Sequence, residues 1–252
     1  MSRDEAATPA PQPAPGAAAL HLIPVGLGES PIERWLPQEV RELAGRLDLY
    51  IAENAKTARA FLKLAGTVRP LQEIQIHTLD ARSTPQQMSD WLAPLKAGRE
   101  IGLVSEAGCP AVADPGARVV EIAHRMGATV RPWVGPSSLL LGLMASGLDG
   151  QRFAFHGYAP VNPDERARQL KAWEQSSARA NQTQMLIETP YRNDAMFATL
   201  LASLRGDTRL CVARALTTPQ EWIRTRTVAQ WKQSAAPALD RLPTLFLFLA
   251  GR

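Results

Sequence analysis

GLVSEAGCPAVADPGARVV, residues 102–120, decides how this chain folds. A short apolar run, 102–104, breaks into a loop that carries Glu106, Cys109 and Asp114 among glycines and prolines, and a helical pattern starts at about residue 116. Strand, turn-rich loop and helix in that order form one β–α unit of an α/β protein. Open α/β sheets bind their ligands beyond the carboxyl ends of the strands, so this loop is also a first place to look for chemistry. Asp114, ahead of Pro115 and Gly116, has a structural reading as a helix N-cap with proline at the first helical position. Glu106 falls just past the strand end, where a carboxylate accepts hydroxyls or amines of a ligand. Cys109 has no base beside it in sequence and reads as a small loop residue rather than a nucleophile.

The same alternation extends outward in both directions. Strands are expected at 20–25, 47–52, 73–79, 101–104 and 128–134, with helices at 34–47, 56–66, 86–98 and 116–127 between them. In the first helix Val40, Leu43, Ala44 and Leu47 recur on one face, Gly66 suits a helix end, and Pro94 predicts an irregularity. A β–α–β–α order of this kind predicts a largely parallel sheet covered by helices. At GPSS, 135–138, the pattern resets with a helix running to Gly147. Strands at 153–158, 183–189, 209–213 and 244–250 follow, with helices at 163–180, 192–204 and about 228–235. Two α/β domains are therefore expected, 20–134 and 135–252, with mixed, mostly parallel sheets and no repeat of fixed period.

The chain has 252 residues, 45% of them hydrophobic and 21% charged, a globular composition long enough to bury real cores. Its longest apolar run, TLFLFLAG, is strand-sized, well short of the roughly 18 residues a membrane helix needs. Residues 1–19 are mostly Ala and Pro, lack the apolar stretch of a secretory signal, and read as a disordered tail of polyproline II character. Two cysteines without a CxxC pair, and histidines scattered at 21, 77, 124 and 156, give no metal-ligand spacing. Structural zinc is not expected, and a reducing cytoplasm is. The net charge is +4, yet 23 of the 28 basic residues are Arg. Arg binds phosphate and stacks on bases better than Lys, which points to an anionic or nucleic-acid substrate; codon usage rich in G and C gives the same excess.

The segments that follow the strands carry the remaining candidates. PVGLGESP, 24–31, holds GxG but not GxGxxG, since Pro31 takes the third glycine position, and no Walker lysine follows. It can still form a tight backbone loop. ENAKTAR supplies Glu53, Lys56 and Arg59, or simply an exposed first helical turn. Ser137 and Ser138 open an apolar helix, as caps or as donors toward a polar ligand. IETPYRND, ARALT and the Pro243–Thr244 step repeat the pattern of polar turn after strand or before it. Each motif is weak alone; their recurrence is the stronger signal.

In the order VGLGE, SEAGCPAVADPG, VGPSS, SGLDGQRFAFHGYAP, IETPYRN and VARALT, residues 20–250 resemble the tetrapyrrole-methylase-like S-adenosylmethionine (SAM) methyltransferases. Within them the chain is most similar to the bacterial small-subunit ribosomal RNA ribose 2′-O-methyltransferases. It departs from that group at IPVGLGES, Glu53-Asn54-Ala55-Lys56 and Glu188-Thr189-Pro190-Tyr191-Arg192, where the group carries TPIGNLG-, EDTR- and ESPHR-like motifs. The resemblance implies two α/β domains holding SAM in a cleft between them, largely through backbone groups, and a homodimer. By motif position the cofactor contacts would be Pro24, the Glu106 to Cys109 loop, Ser137, Ser138, Ile187, Glu188, Arg214, Ala215 and Thr244. The methyl acceptor would be RNA of the small ribosomal subunit, with Glu29 or Glu53 taking the proton and Arg59, Arg192 and Arg214 meeting phosphate. Both glutamates read equally as exposed acids at helix starts. Two other functions stay open: methylation of a tetrapyrrole or other small molecule, and a non-catalytic RNA- or SAM-binding protein.

Overall fold

Leu49–Ala52 and Ile101–Val104 are buried at every position, as strands are when helices cover both faces of a sheet. They sit side by side in the centre of the first sheet. The computed structural model describes residues 18–239 and 241–251, and the expected tail lies outside the described residues up to position 17. Ala19, counted with that tail from composition, already belongs to the first strand.

The first unit contains β1 (Ala19–Leu22), α1 (Gln38–Arg46), β2 (Leu49–Ala52), α2 (Ala55–Ala65), β3 (Gln75–Thr78), α3 (Pro85–Leu92), β4 (Ile101–Val104), α4 (Gly116–Arg125) and β5 (Thr129–Pro132). Its sheet runs β3-β2-β4-β1-β5 with every pair parallel, as the alternation predicts. Local chemistry sets the helix limits. Asn54 caps α2 by accepting the Lys56 N–H at 2.9 Å, and Gly66 ends it at φ 84°. Thr84 and Gln87 form a capping box at the start of α3, with Pro85 in the first turn. The helix expected over 86–98 is divided, because Pro94 turns its second half into a 3-10 segment, Ala93–Ala97.

The second unit contains α5 (Ser138–Ser146), β6 (Phe153–Tyr158), α6 (Pro163–Ala180), β7 (Thr183–Glu188), α7 (Asn193–Ser203), β8 (Arg209–Arg214), β9 (Trp222–Thr227), α8 (Val228–Lys232) and β10 (Thr244–Leu249). Its sheet runs β6-β7-β10-β8-β9; β6 and β7 are parallel and the other three pairs antiparallel. Leu186, Val212 and Phe246 pack with Leu170, Met196, Phe197 and Trp231 on one face. Met185, Ala213, Leu245 and Leu247 pack with Leu143 of α5 on the other. Strand β9 was not expected: WIRTRT alternates Arg and Thr, and its edge position lets it stay half-polar.

The two units do not divide at one point in the chain. Val25–Pro37 and Ala107–Cys109 pack with the residues from Gly135 on, not with the strands that precede them. Val25 and Gly108 form an antiparallel bridge, with N–H to carbonyl distances of 2.9 and 3.0 Å, and the Cys109 thiol donates to Pro136 O at 3.4 Å. Among the described residues no helix is long and apolar enough to cross a membrane.

Gly102 shows how tightly the first sheet is built. It lies opposite Tyr50, which is fully buried, and a Cβ at Gly102 would meet the Tyr50 ring at 2.3 Å. The Tyr50 hydroxyl donates to Ala44 O at 2.6 Å, so the ring cannot swing aside. Gly102→Ala is therefore expected to lower the unfolding free energy by about 1–3 kcal/mol, read from a denaturant midpoint, and Tyr50→Leu in the same chain should recover part of the loss.

Candidate functional site

In the second unit β10 lies between β7 and β8, and Thr244 stands opposite both Glu188 and Arg214. Arg214 in turn stands opposite Trp222. Directly paired residues share a face, so Glu188, Thr244, Arg214 and Trp222 form one row across four strands. Glu188 is buried; its carboxylate pairs with Arg192 at 2.7 Å and accepts the Thr189 N–H at 2.8 Å. Arg214 donates to Ala238 O, and its guanidinium lies 5.5 Å from the Trp222 ring centroid. Two arginines expected to meet phosphate are thus engaged inside the unit.

Asn193, which the sequence did not single out, fixes this row. Fully buried at the start of α7, it donates to Leu242 O at 2.7 Å and to the Thr244 hydroxyl at 3.2 Å. Its sequence context, PYRND, offers polar residues at a helix start and nothing to mark one of them as interior.

Loops converge beside the row. The Ala215 N–H donates to Pro243 O at 2.8 Å, and Ala215 and Thr217 hold φ values of 48° and 69°. Thr218 closes the turn by donating its hydroxyl to Ala215 O at 2.7 Å. Gly28 lies against this turn, for a Cβ there would meet the Thr218 methyl at 2.6 Å. The GxG loop thus acts through close approach, although it is not a dinucleotide motif. Glu29 is exposed on that loop. Ser137 occupies the N-cap of α5, but its side chain makes no capping bond, contrary to the capping reading; Ser138 follows it, also half-buried. Burial pushes the Cys109 thiol up, as suits a structural thiol rather than a nucleophile.

In the first unit Glu53, Glu106 and Asp114 come together. A Glu53 carboxylate oxygen accepts the Glu106 N–H at 3.1 Å, and the Asn54 amide donates to the Glu106 carboxylate at 3.3 Å. Asp114 accepts from Ala111 N at 3.0 Å and Gly116 N at 2.6 Å. It caps α4 from one residue before the assigned N-cap, Pro115, and also holds the preceding loop. Burial raises the Glu53 pKa, opposed by the Glu106 N–H and aided by the charges of Asp114 and Glu106. Burial raises Asp114 as well, against the backbone N–H groups it accepts. Pro24 is buried past the end of β1, and Arg59 is exposed on α2. Among the described residues no group of His, Cys, Asp and Glu could hold a metal ion.

A family model described as Tetrapyrrole (Corrin/Porphyrin) Methylases matches residues 19–231. The chain belongs to the tetrapyrrole methylase family. Curated relatives are named "Ribosomal RNA small subunit methyltransferase I". That of Xylella fastidiosa is 30% identical over 224 residues, covering 88% of this chain and 76% of the relative. That of Mesorhizobium japonicum is 31% identical over 187 residues, covering 74% and 60%. That of Bacillus subtilis is 29% identical over 206 residues, covering 81% and 66%. The matches thus span only 60% and 66% of the Mesorhizobium and Bacillus relatives' own lengths. Among solved structures, that of the methyltransferase CobJ shares the fold, with a TM-score of 0.61 at 18% identity over 93% of this chain and 95% of that one. Uroporphyrin-III-C-methyltransferase from Thermus thermophilus aligns with a TM-score of 0.52 at 16% identity, over 92% of each chain. The family expected from the motif order is the family found.

Two outcomes follow for this tetrapyrrole methylase family chain. Asn193→Ala removes the buried amide donor from Leu242 O and from the Thr244 hydroxyl, which keep only their bond to each other, so unfolding free energy should fall by about 1–3 kcal/mol on chemical denaturation. A raised carboxyl pKa means that the native state holds its proton more tightly than the unfolded state does. Glu53 therefore costs stability at neutral pH and regains it as pH falls through its folded pKa. Glu53→Gln should raise the melting temperature at pH 7 and leave it unchanged once pH is below the ordinary glutamate range.

Proposed function

We propose that this chain transfers the methyl group of SAM to a ribose 2′-oxygen of small-subunit ribosomal RNA. The observation that carries the proposal is the run of relatives named for that RNA at about 30% identity, one of them matched over 88% of this chain. The second unit supports the cofactor. Asn193 Oδ1, Arg214 Nε and Thr217 Oγ1 are buried without hydrogen-bond partners beside the strand-end row, and Ser137 leaves its helix uncapped. A ligand with amino-acid and nucleoside groups offers partners for such atoms. Ser137, Ser138, Ile187, Glu188, the Arg214–Ala215 turn, Thr244 and Cys109, all of the second unit, would hold it there.

Bound SAM supplies an already electrophilic methyl group, so the protein's work is to orient the acceptor and take its proton. Glu53 suits the second task. Burial raises its carboxyl pKa toward the working pH and makes it a better proton acceptor, whereas Glu29 is exposed on its loop. Arg59, exposed on α2, is the expected phosphate contact. A cytoplasmic homodimer completes the reading, with the exposed Leu140 and Met144, one turn apart on α5, offering an apolar face to the second copy.

The test is methyl-labelled SAM with purified protein and small ribosomal subunits from a strain lacking this gene. Label in the RNA as a 2′-O-methylated nucleotide is the expected result. No label, with SAM binding shown on the same sample, overturns the RNA acceptor. In the same assay Glu53→Gln should reduce the single-turnover rate by about 10²–10⁴-fold with SAM affinity unchanged, while Glu29→Gln should keep its rate.

A further inference from the structure

Among the described residues strand β9 pairs only with β8 and forms a sheet edge. On the face that carries the Glu188–Thr244–Arg214 row, its residues are Trp222, Arg224 and Arg226. The guanidinium of Arg214 lies 5.5 Å from the Trp222 ring centroid, and that of Arg226 lies 5.2 Å from Trp231. Arg224 is exposed between them. Among the described residues neither Arg224 nor Arg226 pairs with a carboxylate. Glu221, their nearest acidic neighbour in sequence, turns away to accept the Thr217 N–H at 2.7 Å.

We propose that Arg224 and Arg226 bind successive phosphates of one RNA strand. The proposal rests on the RNA reading above and adds to it a docking surface that runs from the strand-end site along the sheet edge. Three features favour this occupant. Alternate residues on a strand are about 7 Å apart, the scale of the step between neighbouring phosphates. Lying over the Trp231 indole keeps the planar fork of Arg226 ordered, so less freedom is lost when it meets a phosphate. Cations on an edge strand also oppose pairing with another β-strand, which disfavours a protein strand as the occupant.

The experiment measures binding of the full chain to a short unstructured RNA oligonucleotide across a salt series. Each single-strand phosphate contact contributes about 0.7 to the slope of log affinity against log salt. Arg224→Gln with Arg226→Gln should therefore flatten the slope by about 1.4, and Arg224→Gln alone by about 0.7, with SAM affinity unchanged in both and the melting temperature unchanged in Arg224→Gln. Arg224→Lys with Arg226→Lys keeps the charges and should keep the slope. A wild-type protein that binds RNA with a steep slope which the glutamine variants share overturns this surface and leaves the RNA reading intact. A wild-type protein without salt-dependent RNA binding overturns both.

Discussion

The register of β10 is the constraint on which the second unit depends. TLFLFL is apolar on both faces, so hydrophobic pattern alone would allow it to slip by one residue, and such a slip turns every side chain over. Bulk opposes the slip, because Phe246 and Phe248 fill the face toward α6, α7 and α8 while Leu245 and Leu247 fill the face toward α5. Polar pinning completes the specification at the strand's first residue. Asn193 holds Leu242 O and the Thr244 hydroxyl, and Ala215 N–H holds Pro243 O. With that register set, Glu188, Thr244 and Arg214 have no choice but to stand in one row.

The first unit solves a different problem with a carboxylate. Ala111 and Ala113 hold φ values of 68° and 63°, a left-handed conformation that costs an L-residue about 1–2 kcal/mol. Asp114 lies within that turn and accepts the N–H groups of Ala111 and Gly116, and bonds to a charged acceptor offset strain of this size. A Cβ at Gly116 would sit 2.7 Å from the same carboxylate oxygen, so a side chain there would displace the acceptor that holds the loop. Holding the loop by a buried negative charge has an electrostatic consequence. Asp114 adds to the desolvation that raises the Glu53 pKa, so the device that fixes the loop also tunes the carboxyl proposed as base.

Much of this was legible in the sequence, and the reason is local chemistry. The first sheet's parallel order followed from apolar runs alternating with amphipathic helices, and α6 and β6 were read to the residue. What escaped reading is non-local. Val25–Pro37 follows β1 yet packs with the second unit, because its partners, Gly108 and Thr218, are far along the chain. Strand β9 escaped because an edge strand may alternate Arg and Thr without an apolar signature. Asn193 escaped because burial of a lone amide is decided by the carbonyls that surround it, and these lie 46 and 49 residues away. Serine at the N-cap of α5 misled in the opposite sense: the residue type and position were right, and the bond was not made.

The arginine excess is a signal that composition leaves ambiguous and that placement in the fold divides. Twenty-three arginines suit either a phosphate ligand or a biased codon supply. In the fold several of them pair with carboxylates: Arg99 with Asp48, Arg125 with Glu121, Arg152 with Asp149, Arg192 with Glu188 and Arg205 with Asp207. Arg118 and Arg166 hold backbone carbonyls. Such residues serve the fold and would do so in a protein that never met an anion. Arg224 and Arg226 differ because they lie on an edge strand, one of them over an indole, and neither with a carboxylate to neutralise it. A codon bias adds arginines wherever the fold tolerates them, and has no reason to align them on alternate positions of one strand beside the row that the family motifs mark.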